Sequence, residues 1–444
     1  MAGSAFDAHH PPSREIIDQC VHCGFCLPVC PTYALWNEEM DSPRGRIYLM
    51  KLAANGQATI NSQWVGHFDT CLGCMACMTA CPSGVDYGKL IEATRAQIER
   101  KYDRGWLERV YRRLIFGLFT RPDRLRMMRI PLVLYQKSGL RKLVRGSGVS
   151  QLLPKRLQAM EALLPELPAG EEVAEVTPAV GEKRRRVGML LGCVQREFLP
   201  QVNAATARVL AAEGCEVVSP AAQPCCGALL VHAGEEEGAL ALARHLINVF
   251  ERAEVDTIVT NAAGCGSNMK EYGHLLRDDP NYADRAKKFS AKCKDVSEVL
   301  AELPMGAQRN ALRLKVAFHD SCHLQHAQGV RAQPRDLLAV IPELELLEIP
   351  EAAICCGSAG IYSLVQPDAA HALGDRKAEL IASLDADVVV TGNPGCILQL
   401  QASLERAGKK IPVLHTIQLL DASIRGESLV CSQNTRSNSE KASH

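Results

Sequence analysis

The chain has 444 residues, 47% of them hydrophobic, and its 50 Lys and Arg balance 50 Asp and Glu. That length and apolar content can build two to four globular cores, and a formal charge of zero lacks the basic excess that marks a nucleic-acid binder. No run approaches the roughly 18 apolar residues of a membrane-spanning helix, and the opening MAGSAFDAHHPPSREIIDQC has no apolar stretch of the secretory kind. The 19 cysteines are therefore expected as reduced thiols or metal ligands in a cytoplasmic protein, not as disulfides.

The first predicted unit, residues 13–95, carries CVHCGFCLPVCP from Cys20 to Pro31 and, again, CLGCMACMTACP from Cys71 to Pro82. Each run reads C-x2-C-x2-C-x3-C-P. Three thiolates at this spacing let a short loop wrap one cuboidal cluster, while the fourth, turned away by the proline, is placed to ligate another. Two such runs complete each other. They predict one [4Fe-4S] cluster on Cys20, Cys23, Cys26 and Cys81, and a second on Cys71, Cys74, Cys77 and Cys30. Zinc sites pair two short hooks rather than two triple ones. Gly24 and Gly73 are expected to let the loops turn closely and aim N–H groups at sulfur. Between the runs, MDSPRGRIYLMKLA (Met40 to Ala53) should turn through Pro43 and Gly45 into a helix, with Arg44 and Arg46 pairing with carboxylates or a partner, or lying at a solvated helix start.

Residues 96–186 read as basic helices and a linker. Between Lys101 and Ser150 thirteen Lys or Arg face three Asp or Glu, and RRLIFGLFTRPDRLRMMRIPLVLY (Arg112 to Tyr135) interleaves them with Leu, Ile, Phe and Met. Such helices either dock on an anionic membrane surface or acidic partner, or pack on their own domain. Pro122 and Pro131 are expected to break them into short pieces, and Leu164 to Arg186, rich in Pro, Gly and Glu, reads as a linker.

Two copies of a strand–helix alternation follow, at 187–312 and 313–424, before a tail at 425–444 that is expected to be disordered. In the first copy, strands lead to Cys193, to Cys225 and Cys226 followed by Gly227, and to Cys265. In the second they lead to Cys322, to Cys355 and Cys356 followed by Gly357, and to Cys396. Alternation of this kind predicts two small α/β units with largely parallel sheets, whose ligand crevices lie beyond the carboxyl ends of the strands. The eight cysteines should converge there, each quartet able to hold a further [4Fe-4S] cluster or a zinc; buried structural thiols are the plainer alternative. Cys215, Cys293 and Cys431 have no counterpart in the other repeat and read as core filler or a tail thiol. His319, His323 and His326 surround Cys322. A ligand or relay role is conceivable for them, against helix-capping and surface duties for His323 and His326. No G-x-G-x-x-G, P-loop or G-x-S-x-G element follows a strand, so no flavin, nicotinamide or nucleotide site is visible.

The fold class is thus α+β and α/β multidomain: a mostly helical two-[4Fe-4S] ferredoxin-like domain, then two tandem α/β CCG repeats. CVHCGFCLPVCPTY, PRGRIYL, NAATARVL, GCGSNMKEYG, LQHAQ and CCGSAG together resemble the iron–sulfur subunit of glycolate oxidase, over Arg14 to Ile424. Wider relatives are the iron–sulfur subunits of anaerobic glycerol-3-phosphate dehydrogenase, lactate-utilisation complexes and heterodisulfide reductase. The resemblance implies an electron-transfer subunit of an oxidoreductase. A flavoprotein partner would oxidise glycolate to glyoxylate, and a membrane quinone would accept the electrons; no nucleic acid is implied, and the chain would lie in the cytoplasm or against the inner membrane. A lactate or glycerol-3-phosphate dehydrogenase subunit is the alternative within the class. A thiol–disulfide enzyme of the heterodisulfide reductase kind is disfavoured, because the C-x-x-C that closes each repeat there has Ala262 and Asn393 at its first position here.

Overall fold

The structure, a computed structural model, describes residues 3–148, 152–167 and 171–429. Cys431 and most of the expected tail lie outside the described residues. The N-terminal unit contains no strand. Its helices Arg14–Asp18, Pro31–Trp36, Pro43–Ala54, Ser62–Asp69, Ala76–Thr79 and Tyr87–Lys101 enclose one core. The last of these shows why: Asp86 caps it by accepting from the Lys89 N–H, and Leu90, Ile91, Thr94 and Ile98 then recur at helical spacing and are fully buried. They meet Met50, Phe68 and Trp64, whose ring lies 4.1 Å from that of Phe68. Pro43 and Gly45 do not form a turn. Ser42 caps the helix, Pro43 takes its first position, and Gly45 lies inside the first turn, where a Cβ would strike the Glu39 carbonyl.

The basic segment forms helices Trp106–Phe119, Pro122–Lys137, Leu140–Gly146 and Lys155–Ala162. Pro131 does not break its helix, which runs sixteen residues through it. The carbonyl four residues back, deprived of its donor, belongs to Met127 on the solvent face, where water can replace the lost bond. The expected linker before residue 187 also holds structure: β1 (Val176–Thr177) and the first residues of β2 (Arg185–Met189).

The first repeat adds β3 (Cys215–Val218), β4 (Thr257–Thr260) and β5 (Cys293–Asp295); the second consists of β6 (Leu314–Phe318), β7 (Leu344–Glu348), β8 (Val388–Thr391) and β9 (Val413–His415). The sheets run β1-β3-β2-β4-β5 and β7-β6-β8-β9, all parallel except β1, which pairs antiparallel with β3 through Val176 and Val218. Two- and three-residue strands such as β1, β5 and β9 give no periodic signal, so sequence pattern alone passes over them. Cys215 and Cys293 lie in strands and are buried core, as expected. In each sheet the first long strand is central, with its successors on opposite sides. The chain reverses direction of travel there, and a crevice opens at the carboxyl ends. The two crevices face each other: the Ala263 N–H donates to the Gly392 carbonyl at 3.1 Å, and Arg208 forks onto Asp421 at 2.6 and 3.0 Å across the repeats.

Candidate metal centres

The paired loops converge on two hollows. One is lined by Cys20, Cys23, Cys26 and Cys81, with Cys77 in its wall; the other by Cys71, Cys74, Cys77 and Cys30. Each loop holds two left-handed residues flanking its second cysteine, His22 and Gly24 in the first, Gly73 and Met75 in the second. That backbone turns N–H groups inward, and Gly73 donates to the Cys71 sulfur at 3.4 Å. Four thiols per hollow, apolar walls and inward N–H groups fit a [4Fe-4S] cluster.

Arg46, expected either to pair with carboxylates or a partner or to lie at a solvated helix start, is fully buried beside the second hollow. It donates to the His67 carbonyl, Thr32, Thr70 and Asp41. Burial opposes its charge, yet Cys71, Tyr87, Cys30 and Asp41 around it raise its pKa overall. Conversely, burial pushes the Cys71 thiol up, but Arg46 and Arg95 bring it below its usual value. A buried guanidinium here offsets the charge of thiolate ligands. Arg44 instead pairs with Glu39 at the surface and donates to the His22 carbonyl. The second loop abuts the second repeat, where Leu72, Cys74 and Ala76 pack with Ile354, Cys355 and Leu373.

In the first repeat, the Cys193 and Cys225 sulfurs are 3.5 Å apart, and Cys226 and Cys265 line one cavity with them. The hydrogen bond to Cys225, and then burial, push Cys193 well up. In the second, Cys322 and Cys355 are 4.0 Å apart, and the ligand atoms of His319, Cys356 and Cys396 all lie within 4.8 Å of one another, buried. Cys396 is lowered by the hydrogen bond from Cys356 and by His319. Both double-cysteine turns close on a left-handed glycine, Gly227 and Gly357. At Gly357 a Cβ would lie 2.6 Å from the Ala370 carbonyl, so the turn admits no side chain.

His319 therefore belongs to the second quartet, in register with Leu190 of the first. A surface duty is not what the structure gives His323, while His326 is half-buried at the edge. His323 is buried with its ring 4.9 Å from that of His232, and His326 reaches Thr79 at 2.9 Å; burial holds their pKa values down to about 3 and about 4. Ala262 is buried without a polar group, while Asn393 donates to the Cys396 sulfur at 3.5 Å and accepts from the Gly264 N–H. Arg95 and His232 carried no sequence signal, since Arg95 reaches the Cys71 and His232 carbonyls, 24 and 137 residues away, and His232 meets His323 only through the fold.

A helical unit with two cysteine hollows, joined to two cysteine-rich α/β repeats, defines an iron–sulfur protein. A family model described as 4Fe-4S dicluster domain matches residues 16–85, one described as cysteine-rich domain matches 187–270 and 316–401, and one described as glycolate oxidase iron-sulfur subunit, linker region, matches 107–164. The chain is 40% identical over 410 residues to a probable glycolate oxidase iron-sulfur subunit of Bacillus subtilis (90% of this chain, 92% of that one), and 38% identical over 420 residues to the glycolate oxidase iron-sulfur subunit of Escherichia coli (93% and 95%). It belongs to the glycolate oxidase iron-sulfur subunit family. A lactate utilization protein A of Halalkalibacterium halodurans is 32% identical over 237 residues, 53% of this chain and 96% of that one.

Proposed function

We propose that this chain is the electron-carrying subunit of a glycolate-oxidising complex. In it a flavoprotein partner oxidises glycolate, and two [4Fe-4S] clusters, on Cys20, Cys23, Cys26 and Cys81 and on Cys71, Cys74, Cys77 and Cys30, carry the electrons singly toward a membrane quinone. The observation that carries the reading is the continuity of thiol sites. Cys77 borders both hollows, and Cys74 shares an apolar patch with Cys355 of the second repeat. Cys23 is the only exposed cysteine among the described residues, and Val21 and Phe25 beside it are exposed, which favours the first loop as the side that meets the flavoprotein. Arg46 offsets the charge of the thiolates, the Gly73 N–H orients one of them, and the apolar walls keep water out.

The repeats are read as holding a further metal centre, an iron–sulfur cluster or a zinc. The support is the three-donor cluster of His319, Cys356 and Cys396 in the second, with the Cys322 and Cys355 sulfurs 4.0 Å apart on the neighbouring turns. Cys193, Cys225, Cys226 and Cys265 offer four thiols in the first. Nothing favours the disulfide-cleaving alternative, since Ala262 and Asn393 supply no thiol. Iron and zinc analysis with EPR on the anaerobically purified chain tests the reading. More than about eight irons, or eight with zinc, falling in a Cys225→Ser, Cys355→Ser double variant, is expected. About eight irons unchanged in the variant would leave the repeats structural, and fewer than eight would overturn the paired-loop assignment. Among the described residues no helix is long and apolar enough to cross a membrane.

A further inference from the structure

A cavity of about 630 Å³, part of which the metal centre proposed for the quartets would fill, lies between the basic helices and the two crevices. That falls inside the range of about 300–1,000 Å³ typical of small-molecule sites. Its two sides differ sharply. One is apolar and built from the basic segment, by Leu118, Phe119, Leu125, Leu132 and Met160; the other presents cysteines of both quartets, Cys193, Cys225 and Cys265 facing Cys322, Cys355 and Cys396. No Lys or Arg lines it among the described residues, and Glu161, its one carboxylate, is tied to Arg145 and Tyr135. An organic acid such as the complex's substrate would find no counter-charge there.

Three buried polar atoms on the lining residues lack partners: His323 Nε2, His232 Nε2 and Gln195 Oε1. Gln195 is fixed with this oxygen left over, because its amide nitrogen donates to Asn203 and Asn261. His323 is only 9% exposed, and its other nitrogen faces the Cys322 sulfur at 3.5 Å. Unpaired buried polar groups cost stability unless something completes them. A ligand with an apolar body and an aromatic head that bears carbonyls in one redox form and hydroxyls in the other would do so, its hydroxyl donating to Gln195 Oε1 at the cysteine end and its body filling the apolar end.

The mouth faces the same way. Met128 and Leu157 line the cavity and are also exposed, and around them Met127, Ile130 and Leu134 are 72%, 74% and 67% exposed, interleaved with Arg124, Arg126 and Arg129. An exposed apolar and cationic helix face suits an anionic lipid surface. A ligand dissolved in lipid would meet the cavity from that side.

We propose that this cavity is the binding site of a lipid-soluble quinone, its head between His323, His232 and Gln195 and its tail leaving between the basic helices. The inference rests on the reading of the chain as an electron carrier. Conversion of the dione to the diol takes two electrons and two protons, the electrons arriving singly from the chain's reduced iron–sulfur centres and the protons from water.

The test is calorimetric titration of the cluster-loaded full chain with decylubiquinone. It would be run beside Met160→Trp and Leu132→Trp, which fill the apolar end, and Leu107→Trp, an exposed position outside the cavity. Binding is expected to weaken by about tenfold or more in both filled variants and to stay unchanged in the control, with the EPR signals of the dithionite-reduced clusters intact in all. Two filled variants keep the test open if one fails to fold. Equal binding in all four proteins, or none to the unsubstituted chain, would overturn the proposal. Binding heat does not depend on electron transfer, so clusters of the unsubstituted chain that dithionite fails to reduce, read by EPR, would count against the carrier reading alone.

Discussion

The two cysteine-rich repeats share strand order, thiol positions and the left-handed glycine after the double cysteine, yet they offer different chemistry. The first has Leu190 just after its central strand and leaves its quartet all thiol. The second places His319 at that position, sets Asn393 against Cys396 where the first has Ala262, and lies against Cys74 of the paired loops. A repeated scaffold fixes where ligand atoms converge. The residues just outside the quartet decide what they hold and whom they contact.

The comparison breaks most visibly at the thiols. Cys355→Ser should remove the metal proposed for the second repeat and alter the EPR signal of the cluster proposed on Cys74, whereas Cys225→Ser should leave that signal unchanged; spectra of the two variants side by side decide this. Next in size is His319→Leu, which makes the second repeat resemble the first. Metal affinity at that site should fall by about 10–100-fold, read by competition with a chelator, while Leu190→His in the first repeat restores nothing.

Asn393→Ala should weaken retention of the same metal by less, about tenfold or below, because it removes one hydrogen bond to a ligand sulfur without removing a ligand. The smallest effect is at the seam. Arg208→Met loses a partly exposed fork onto Asp421 and should lower stability by about 1 kcal/mol in denaturant unfolding. A cost several times larger would mean the repeats depend on each other more than their separate sheets suggest.

Much of this was legible in the chain itself. The doubled C-x2-C-x2-C-x3-C-P run pairs Cys30 with the second loop and Cys81 with the first, because spacing within a loop fixes which thiols can face one centre, and the structure brings those thiols together. The two-fold recurrence of strand, double cysteine and strand announced two parallel sheets with cysteines at their carboxyl ends. Those are local patterns, written in consecutive residues.

What only the tertiary structure decided was everything that depends on residues distant in sequence. Arg46 is buried because Thr32, Asp41, His67 and Thr70 close around it, although its own neighbours read as a solvated helix start. His319 joins Cys356 and Cys396 only because β6 lies beside β7 and β8 in the sheet. The cavity exists because the helix expected to break at Pro131 stays whole, while Pro122 starts it as a separate piece, and these helices fold back over both crevices. Short-range geometry is encoded residue by residue, but a guanidinium's counter-charges, a ligand set and a cavity wall are assembled by packing.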